Sequence, residues 1–360
     1  MDRFNIYHRR DGRWEGRISQ GKRENGKTKF QYFFGHSREE VQVKMAEIRQ
    51  KTIASSNCGI LISDLFWEWF HSIRHKVKDS TRANYLMKAN KHILPIFGGT
   101  AVNSLSALDV YIFIDEKLKS GLSNRYISDI IVLMKTIYKY AARTYHVYNP
   151  MTEVNMPRRK SAEIQLLDAN EQKKLQKFLA NNQNHTTLGI AVSLTMGIRI
   201  GELCALKWED IDLEKRILTV RKTIQRISNI DGKTKTKLII TEPKSESSFR
   251  NIPIPDSIVP FLKKFESAAE NYLISGNSHP IEPRTMQYRF AKILKNANLP
   301  SVHFHALRHM FASNCIRLGF DVKSLSEILG HSSVEITLNR YVHSSFEQKK
   351  LYMKRVKIAI

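Results

Sequence analysis

Cysteine and long apolar segments are scarce in this chain. Its 360 residues include three cysteines, Cys58, Cys204 and Cys315, which lie far apart and form no Cys-x-x-Cys pair. A disulfide framework is therefore not expected, nor is a cysteine-ligated metal site. No segment approaches the ~18 consecutive apolar residues of a membrane-spanning helix, and the amino terminus is charged from Asp2 and Arg3 onward, without the apolar core of a signal peptide. The sequence thus predicts a soluble, cytoplasmic protein with no membrane partner.

Acidic residues are also in short supply. Asp and Glu number 34 against 58 Lys and Arg, which gives a formal net charge of +24 and an isoelectric point near 9.9. The bases are spread along the whole chain rather than gathered in one tail. This distribution favours a long polyanion, duplex DNA, as the partner over a protein with a single basic tail.

Residues 1–57 are predicted to form a small sheet followed by a helix. Three stretches rich in aromatic and β-branched residues, over 4–10, 14–20 and 27–35, are separated by Asp-Gly and Asn-Gly, dipeptides typical of tight hairpins. Ser37 and Glu40 form a capping-box pattern ahead of a helix that runs to residue 53. Basic side chains of the sheet are candidate DNA contacts, with a purely structural domain as the alternative: Arg9, Arg13, Arg17, Lys22 and Lys29.

Residues 58–157 are predicted to form a helical domain. A linker over 58–64 precedes apolar residues that recur at intervals of three and four from Leu65. A second helix is predicted to be capped by Ser80 and to run to Ile93, and two more are predicted over 105–118 and 123–145. In the last of these, spacing by four places three cations on one face, which is either a solvated face or a DNA contact: Lys135, Lys139 and Arg143.

The remaining region contains an arginine at the end of an apolar helix. Residues 188–196 are almost uniformly apolar, which predicts a buried helix that stops at Gly197, with Arg199 just beyond. A cation at this place is costly unless it meets an anion. Glu202 and Glu209 are candidate structural partners. A phosphate is the alternative, because a guanidinium fork matches two of its oxygens.

Other side chains could complete a site for phosphodiester chemistry. His305 and Arg308 are three residues apart and would project from one side of a helix. His305 and His309 could suggest zinc, but no glutamate follows His305 and no nearby cysteine completes a ligand set. Tyr341 is a candidate nucleophile, and His331, ten residues before it, is a candidate phosphate ligand.

A lysine and a basic helix belong to the same region. Strands are predicted between 217 and 255, with a hairpin loop over 229–237 and a second turn over 243–248 that contains Lys244. A helix over 282–298 has an apolar face and a basic face, and the basic face is either solvated or placed in a DNA groove. Its candidate DNA contacts are Arg284, Lys292 and Lys295.

Five blocks in this order resemble the tyrosine recombinases, the phage-integrase family. They are residues 195–203 (Thr-Met-Gly-Ile-Arg-Ile-Gly-Glu-Leu), 243–245 (Pro-Lys-Ser), 305–309 (His-Ala-Leu-Arg-His), 329–333 (Leu-Gly-His-Ser-Ser) and Tyr341. The chain departs from the common family pattern at Ala306 and Met310, where aspartate and threonine are usual. Neither departure removes a catalytic group.

The resemblance implies the fold and the domains. It implies an α+β, mostly helical protein in which residues 1–57 bind arm-site DNA through a three-stranded sheet and residues 58–157 are a helical core-binding domain. Residues 158–360 would be a mixed α/β catalytic domain, and its tail helix over 346–360 would dock on a neighbouring protomer.

The resemblance also implies the role of each site residue. Tyr341 would attack the phosphorus and form a 3′-phosphotyrosine, while Arg199 and Arg308 bind the phosphate oxygens. Lys244 would protonate the departing 5′-oxygen, His305 could take the tyrosine proton and His331 would donate to the phosphate. No metal, nucleotide or other cofactor is expected.

The implied partners are core and arm sites in double-stranded DNA and a homotetramer that passes through a Holliday junction. The implied function is integration of a phage or conjugative transposon, and an excision factor or host DNA-bending factor would be an accessory partner. A relaxing topoisomerase of type IB and a non-catalytic DNA-binding protein are the alternatives.

Overall fold

The computed structural model describes residues 6–9, 11–22, 28–45, 59–157, 165–230, 234–242, 249–341, 350 and 353. The chain divides into two compact units, Met1–Ser161 and Ala162–Ile360. Helices predominate and the sheets are small and antiparallel. The predicted α+β, mostly helical fold is confirmed.

The first unit begins with a three-stranded antiparallel sheet in the order β1-β2-β3, formed by Ile6–His8, Trp14–Lys22 and Thr28–Gly35. Helix α1 follows over residues 38–45. It lies so close to the sheet that a Cβ on Gly16 would meet Met45 Sδ at 2.3 Å, which explains glycine inside a strand. The Glu40 amide donates to Ser37 Oγ at 3.1 Å, so the predicted cap is present.

The rest of the first unit is helical. Helix α2 begins at Ile62, which is 1% exposed. The interpretation of 58–64 as a linker is therefore wrong for its last three residues. They form the first turn of α2, and this turn is stabilised because Ile62 packs into the core. Helix α3 continues through a π-helical turn, Ala89–Ile93. The helices of this part are α2 Ile62–Ser72, α3 Asp79–Lys88, α4 Leu94–Phe97, α5 Ala107–Lys119 and α6 Asn124–Thr144.

The second unit surrounds helix α8, His185–Met196, with further helices and short strands. Eight of the twelve residues of α8 are buried, as its apolar sequence predicts. Strands β5 (Ile217–Val220) and β8 (Arg250–Pro253) pair antiparallel, and β6 (Thr223–Ser228) and β7 (Thr236–Thr241) form the predicted hairpin. The helices are α7 Ala169–Asn181, α8 His185–Met196, α9 Ile200–Ala205, α10 Val259–Lys264, α11 Pro283–Asn296, α12 His305–Arg317, α13 Val322–Leu329 and α14 Val334–Tyr341. The strands are β4 Ile211–Asp212, β5 Ile217–Val220, β6 Thr223–Ser228, β7 Thr236–Thr241 and β8 Arg250–Pro253.

Candidate active site

Arg199 is held between two helix ends. Helix α8 stops at Gly197, whose φ of +64° is left-handed and where a Cβ would lie 2.4 Å from Phe311, so glycine is required on both counts. Two residues later, Arg199 Nη1 donates to Glu202 Oε1 at 2.7 Å and Nη2 donates to the carbonyl of Gly330 at 2.8 Å. The side chain remains 34% exposed. It is therefore fixed in direction and still accessible to a ligand.

Glu202 joins Arg199 to a second guanidinium that the sequence did not single out. Arg250, the first residue of β8, donates from Nη2 to Glu202 Oε2 at 2.8 Å and from Nε to the carbonyl of Ile328 at 2.6 Å. Burial alone would raise the pKa of Glu202, but the hydrogen bond and charge of Arg250, together with Arg199, lower it below the ordinary value. The carboxylate thus stays charged and positions two cations.

Arg308 is the most buried of the three arginines of the site. Its side chain lies on α12 and is 2% exposed. Nη1 donates to the carbonyl of Gly197 at 2.8 Å and Nη2 to the carbonyl of Leu329 at 2.7 Å. Burial, and next the repulsion from Arg199, lower the pKa of this guanidinium to about 9. Keeping the Arg308 guanidinium charged therefore costs free energy, and a bound anion would reduce this cost.

Tyr341, the last residue of α14, is 9% exposed and packs with Ala312, Leu325 and Leu329. Its hydroxyl oxygen lies 2.8 Å from Nδ1 of His309. This contact joins the candidate nucleophile to the helix that supplies Arg308.

Two further histidines belong to the same group of side chains. The His331 ring is nearly parallel to the Tyr341 ring, at 5° and 6.4 Å between centroids, and its Nδ1 lies 2.7 Å from Thr337 Oγ1. The exposed His305 ring meets the His309 ring edge-on at 4.8 Å.

The second unit therefore brings five of the six predicted catalytic residues into one connected group: Arg199, His305, Arg308, His331 and Tyr341. Lys244 lies outside the described residues. Arg250, the first residue of β8, could not be recognised from the sequence as part of this group, and His309 was considered there only as a zinc ligand. The signal for His309 was its place directly after Arg308.

The sheet candidates for DNA binding lie among aromatic side chains. The guanidiniums of Arg9 and Arg13 lie over the Phe34 ring at 5.5 and 5.9 Å, and that of Arg17 lies over Tyr7 at 5.8 Å. Arg9 is also paired with Glu15 and Arg13 with Asp11. The Lys22 and Lys29 side chains lie outside the described part. Tyr7 and Phe34 are 40% and 42% exposed, so this face presents cations and rings together.

The helical candidates differ in their surroundings. Lys135 Nζ donates to the carbonyl of Val154 at 2.8 Å and so ties α6 to the chain that follows it. Lys139 and Arg143 are exposed on the same helix. The α11 candidates, Arg284, Lys292 and Lys295, are exposed as well.

Comparisons with known proteins identify the family. The sequence profile of the phage integrase family matches residues 165–348, and that of the phage integrase N-terminal SAM-like domain matches residues 61–118. The chain belongs to the phage integrase family. It is a tyrosine-type site-specific recombinase, as the sequence predicts.

Relatives and solved structures agree with this assignment. A XerC-like tyrosine recombinase from Caldanaerobacter subterraneus subsp. tengcongensis is 28% identical, with 92% of each chain covered. The ICEBs1 integrase of Bacillus subtilis is 22% identical, with 84% of each covered. The Tn1549 transposon integrase, solved with a circular intermediate DNA, shares the fold with a TM-score of 0.68 at 22% identity over 82% of this chain and 99% of that one. Within the described part of this recombinase, no helix is both long and apolar enough to cross a membrane.

Proposed function

We propose that this recombinase integrates a mobile element into a bacterial chromosome by way of a 3′-phosphotyrosine intermediate. The observation that supports it is the grouping of a buried tyrosine hydroxyl with the fixed guanidiniums of Arg199 and Arg308. A nucleophile that stores the bond as an ester suits exchange of strands rather than hydrolysis. The relatives include the integrases of ICEBs1 and Tn1549, so the substrate is proposed to be the ends of such an element.

The proposed reaction begins with attack of the Tyr341 oxygen on the scissile phosphorus. Arg199 and Arg308 stabilise the negative charge that develops on the non-bridging oxygens, and His305 and His331 add further donors. As the bond to the 5′-oxygen breaks, Lys244 supplies its proton. The 5′-hydroxyl of a second duplex then attacks the phosphotyrosine, which reverses the step and yields a Holliday junction.

The assembly that such exchange requires has four active sites, one for each strand cut. We propose a homotetramer on two synapsed core sites, which is consistent with the lambda integrase tetramer solved on a Holliday junction. An excision factor or host DNA-bending factor would set the direction. The site of action would be the cytoplasm, where the chromosome lies.

The cations of the site allow cleavage without a divalent metal. Arg199, Arg250 and Arg308 place three guanidiniums around a single carboxylate, that of Glu202. Fixed cations aimed at a developing oxyanion stabilise it without reorganisation. We therefore expect cleavage to be as fast in EDTA as in Mg²⁺.

The test is adduct formation on nicked suicide duplexes with a randomised centre, which trap the phosphotyrosine because the released fragment diffuses away. In EDTA, wild-type protein should enrich a subset of duplexes as denaturation-resistant adducts. Their 5′-hydroxyl product and the linkage to Tyr341 can be identified by mass spectrometry. Adducts that form only with a divalent metal would point to a nuclease and contradict the proposal.

We further propose that residues 1–57 bind arm sites and that residues 58–157 and 158–360 bind the crossover core. The exposed face of rings and arginines around Phe34 suits a sheet laid against a duplex, because arginine side chains donate hydrogen bonds to phosphate oxygens.

Deletion of residues 1–57 should spare cleavage of the selected core duplex and abolish integration between two DNA molecules. The slope of log affinity against log salt for arm DNA should become shallower by about 0.9 for each phosphate that residues 1–57 neutralise. Filter binding across a salt series measures this slope. Unchanged arm binding after the deletion would show that the first sheet has a structural role only.

A further inference from the structure

The contact between Tyr341 and His309 has a geometry that suits proton transfer. The tyrosine oxygen and the imidazole Nδ1 are 2.8 Å apart, which is hydrogen-bond distance. A candidate general base must lie within about 2.6–3.2 Å of the proton it takes. The two residues are on different helices, 32 positions apart in the chain, so the contact is made by tertiary packing.

Burial separates this contact from bulk water. His309 is 4% exposed and Tyr341 is 9% exposed. Leu325 and Leu329 pack beside the tyrosine. With bulk water largely excluded, a side chain has to accept the phenolic proton, and Nδ1 of His309 is a basic atom in hydrogen-bond contact with the hydroxyl.

The alternative base, His305, is placed differently. It lies one helical turn before His309 on α12, is exposed, and meets the His309 ring edge-on at 4.8 Å. Its position at the open side of the site suits a donor to the phosphate. The tyrosine hydroxyl is instead held by the inner histidine.

We infer that His309 is a catalytic base of this recombinase, a role that rests on the function proposed above. In cleavage, the proton leaves the Tyr341 oxygen for Nδ1 of His309 as the oxygen forms its bond to phosphorus. The bond from phosphorus to the 5′-oxygen breaks with its electron pair, and that oxygen takes a proton from Lys244. In rejoining, the imidazolium of His309 returns its proton to the departing tyrosine oxygen, and the incoming 5′-hydroxyl gives its proton to Lys244.

Replacement of His309 by asparagine tests its basicity separately from its hydrogen bond to the tyrosine. The amide oxygen of Asn lies near the position of Nδ1 and can accept the tyrosine hydrogen bond, but an amide is not a base. In single-turnover cleavage of the duplex that wild-type protein selects, His309→Asn should be slower by about 10²-fold or more, as general-base catalysis predicts. The matched control is His303→Asn, since His303 is exposed and lies just before the same helix; it should cleave at the wild-type rate.

A substrate with sulfur in place of the bridging 5′-oxygen shows which of the two proton transfers a variant has lost, the one to the leaving oxygen or the one from the tyrosine. A thiolate leaves without protonation, so this substrate should restore cleavage to Lys244→Ala. It should not restore His309→Asn, because the tyrosine proton must still be removed. Rescue of His309→Asn by sulfur would place His309 at the leaving group and overturn the inference.

The other outcomes are equally decisive. A wild-type cleavage rate in His309→Asn would show that the contact only positions the tyrosine, which also overturns the inference while the proposed function stands. If wild-type protein formed no adduct on any duplex, both would fail. Thermal melting reports whether the variant is folded, and His309→Gln, a second amide without basicity, should show the same loss of rate if the asparagine variant does not fold.

Discussion

Replacement of Tyr341 by phenylalanine should abolish covalent protein–DNA adducts and leave DNA binding unchanged. The ring keeps its packing against Ala312 and Leu325, whereas the oxygen that would form the ester is gone. Removal of the hydrogen bond to His309 should cost about 1 kcal/mol of stability. Denaturing gels of the trapped suicide duplex measure the adduct, and a mobility shift measures binding.

A buried tyrosine of the first unit gives the matched control. The Tyr138 hydroxyl donates to the carbonyl of Val102 at 3.2 Å in the first unit. Tyr138→Phe should therefore show a similar small loss of stability with normal adduct formation. Adducts at the wild-type level in Tyr341→Phe would contradict the assignment of the nucleophile.

Arg308→Ala should reduce the cleavage rate by about 10²- to 10³-fold, because each fixed donor to a developing oxyanion has an effect of this size. Arg308→Lys should lose most of the rate as well, since an ammonium cannot span the carbonyls of Gly197 and Leu329 and bind phosphate at once. Single-turnover cleavage at saturating protein measures the chemical step.

Stability has to be measured beside the rate. Loss of the guanidinium leaves two buried carbonyls unpaired, at about 1–3 kcal/mol each, but it also removes a cation whose pKa is lowered by burial. The two effects oppose each other. Arg317→Ala on the same helix is the control, because Arg317 is exposed and should show neither change. A cleavage rate near that of wild type in folded Arg308→Ala would rule out the phosphate role.

The elements of this fold could be predicted where the pattern is local. Residues 188–196 are apolar in sequence and form a buried helix, and the hairpin dipeptides marked the first sheet correctly. Contacts between distant residues could not be predicted in the same way. Arg250 meets Glu202 and Ile328 across 48 and 78 positions, and no property of its neighbours marks it as part of the site.

The same limit applies to individual lysines and histidines. The spacing by four of Lys135, Lys139 and Arg143 correctly predicts one helix, but only the fold shows that Lys135 donates to Val154. Likewise, the family resemblance implied that His305 takes the tyrosine proton, whereas the fold shows that His309, one helical turn later, contacts the Tyr341 hydroxyl. The family resemblance supplied the order of the motifs, and the fold supplied their contacts.

Helices α8 and α13 both end at a glycine with a left-handed backbone, Gly197 with φ of +64° and Gly330 with φ of +63°, and this affects how the recombinase could be retargeted. Arg308 donates to the carbonyl of Gly197 and Arg199 to that of Gly330, so these two arginines of the candidate site are held by the ends of helices. The exposed basic residues Arg284, Lys292 and Lys295 belong to another helix, α11. On the proposal that residues 158–360 bind the core DNA, a library of α11 variants could be screened for binding to other core sequences, because the helix ends that hold Arg199 and Arg308 would be unchanged in every variant.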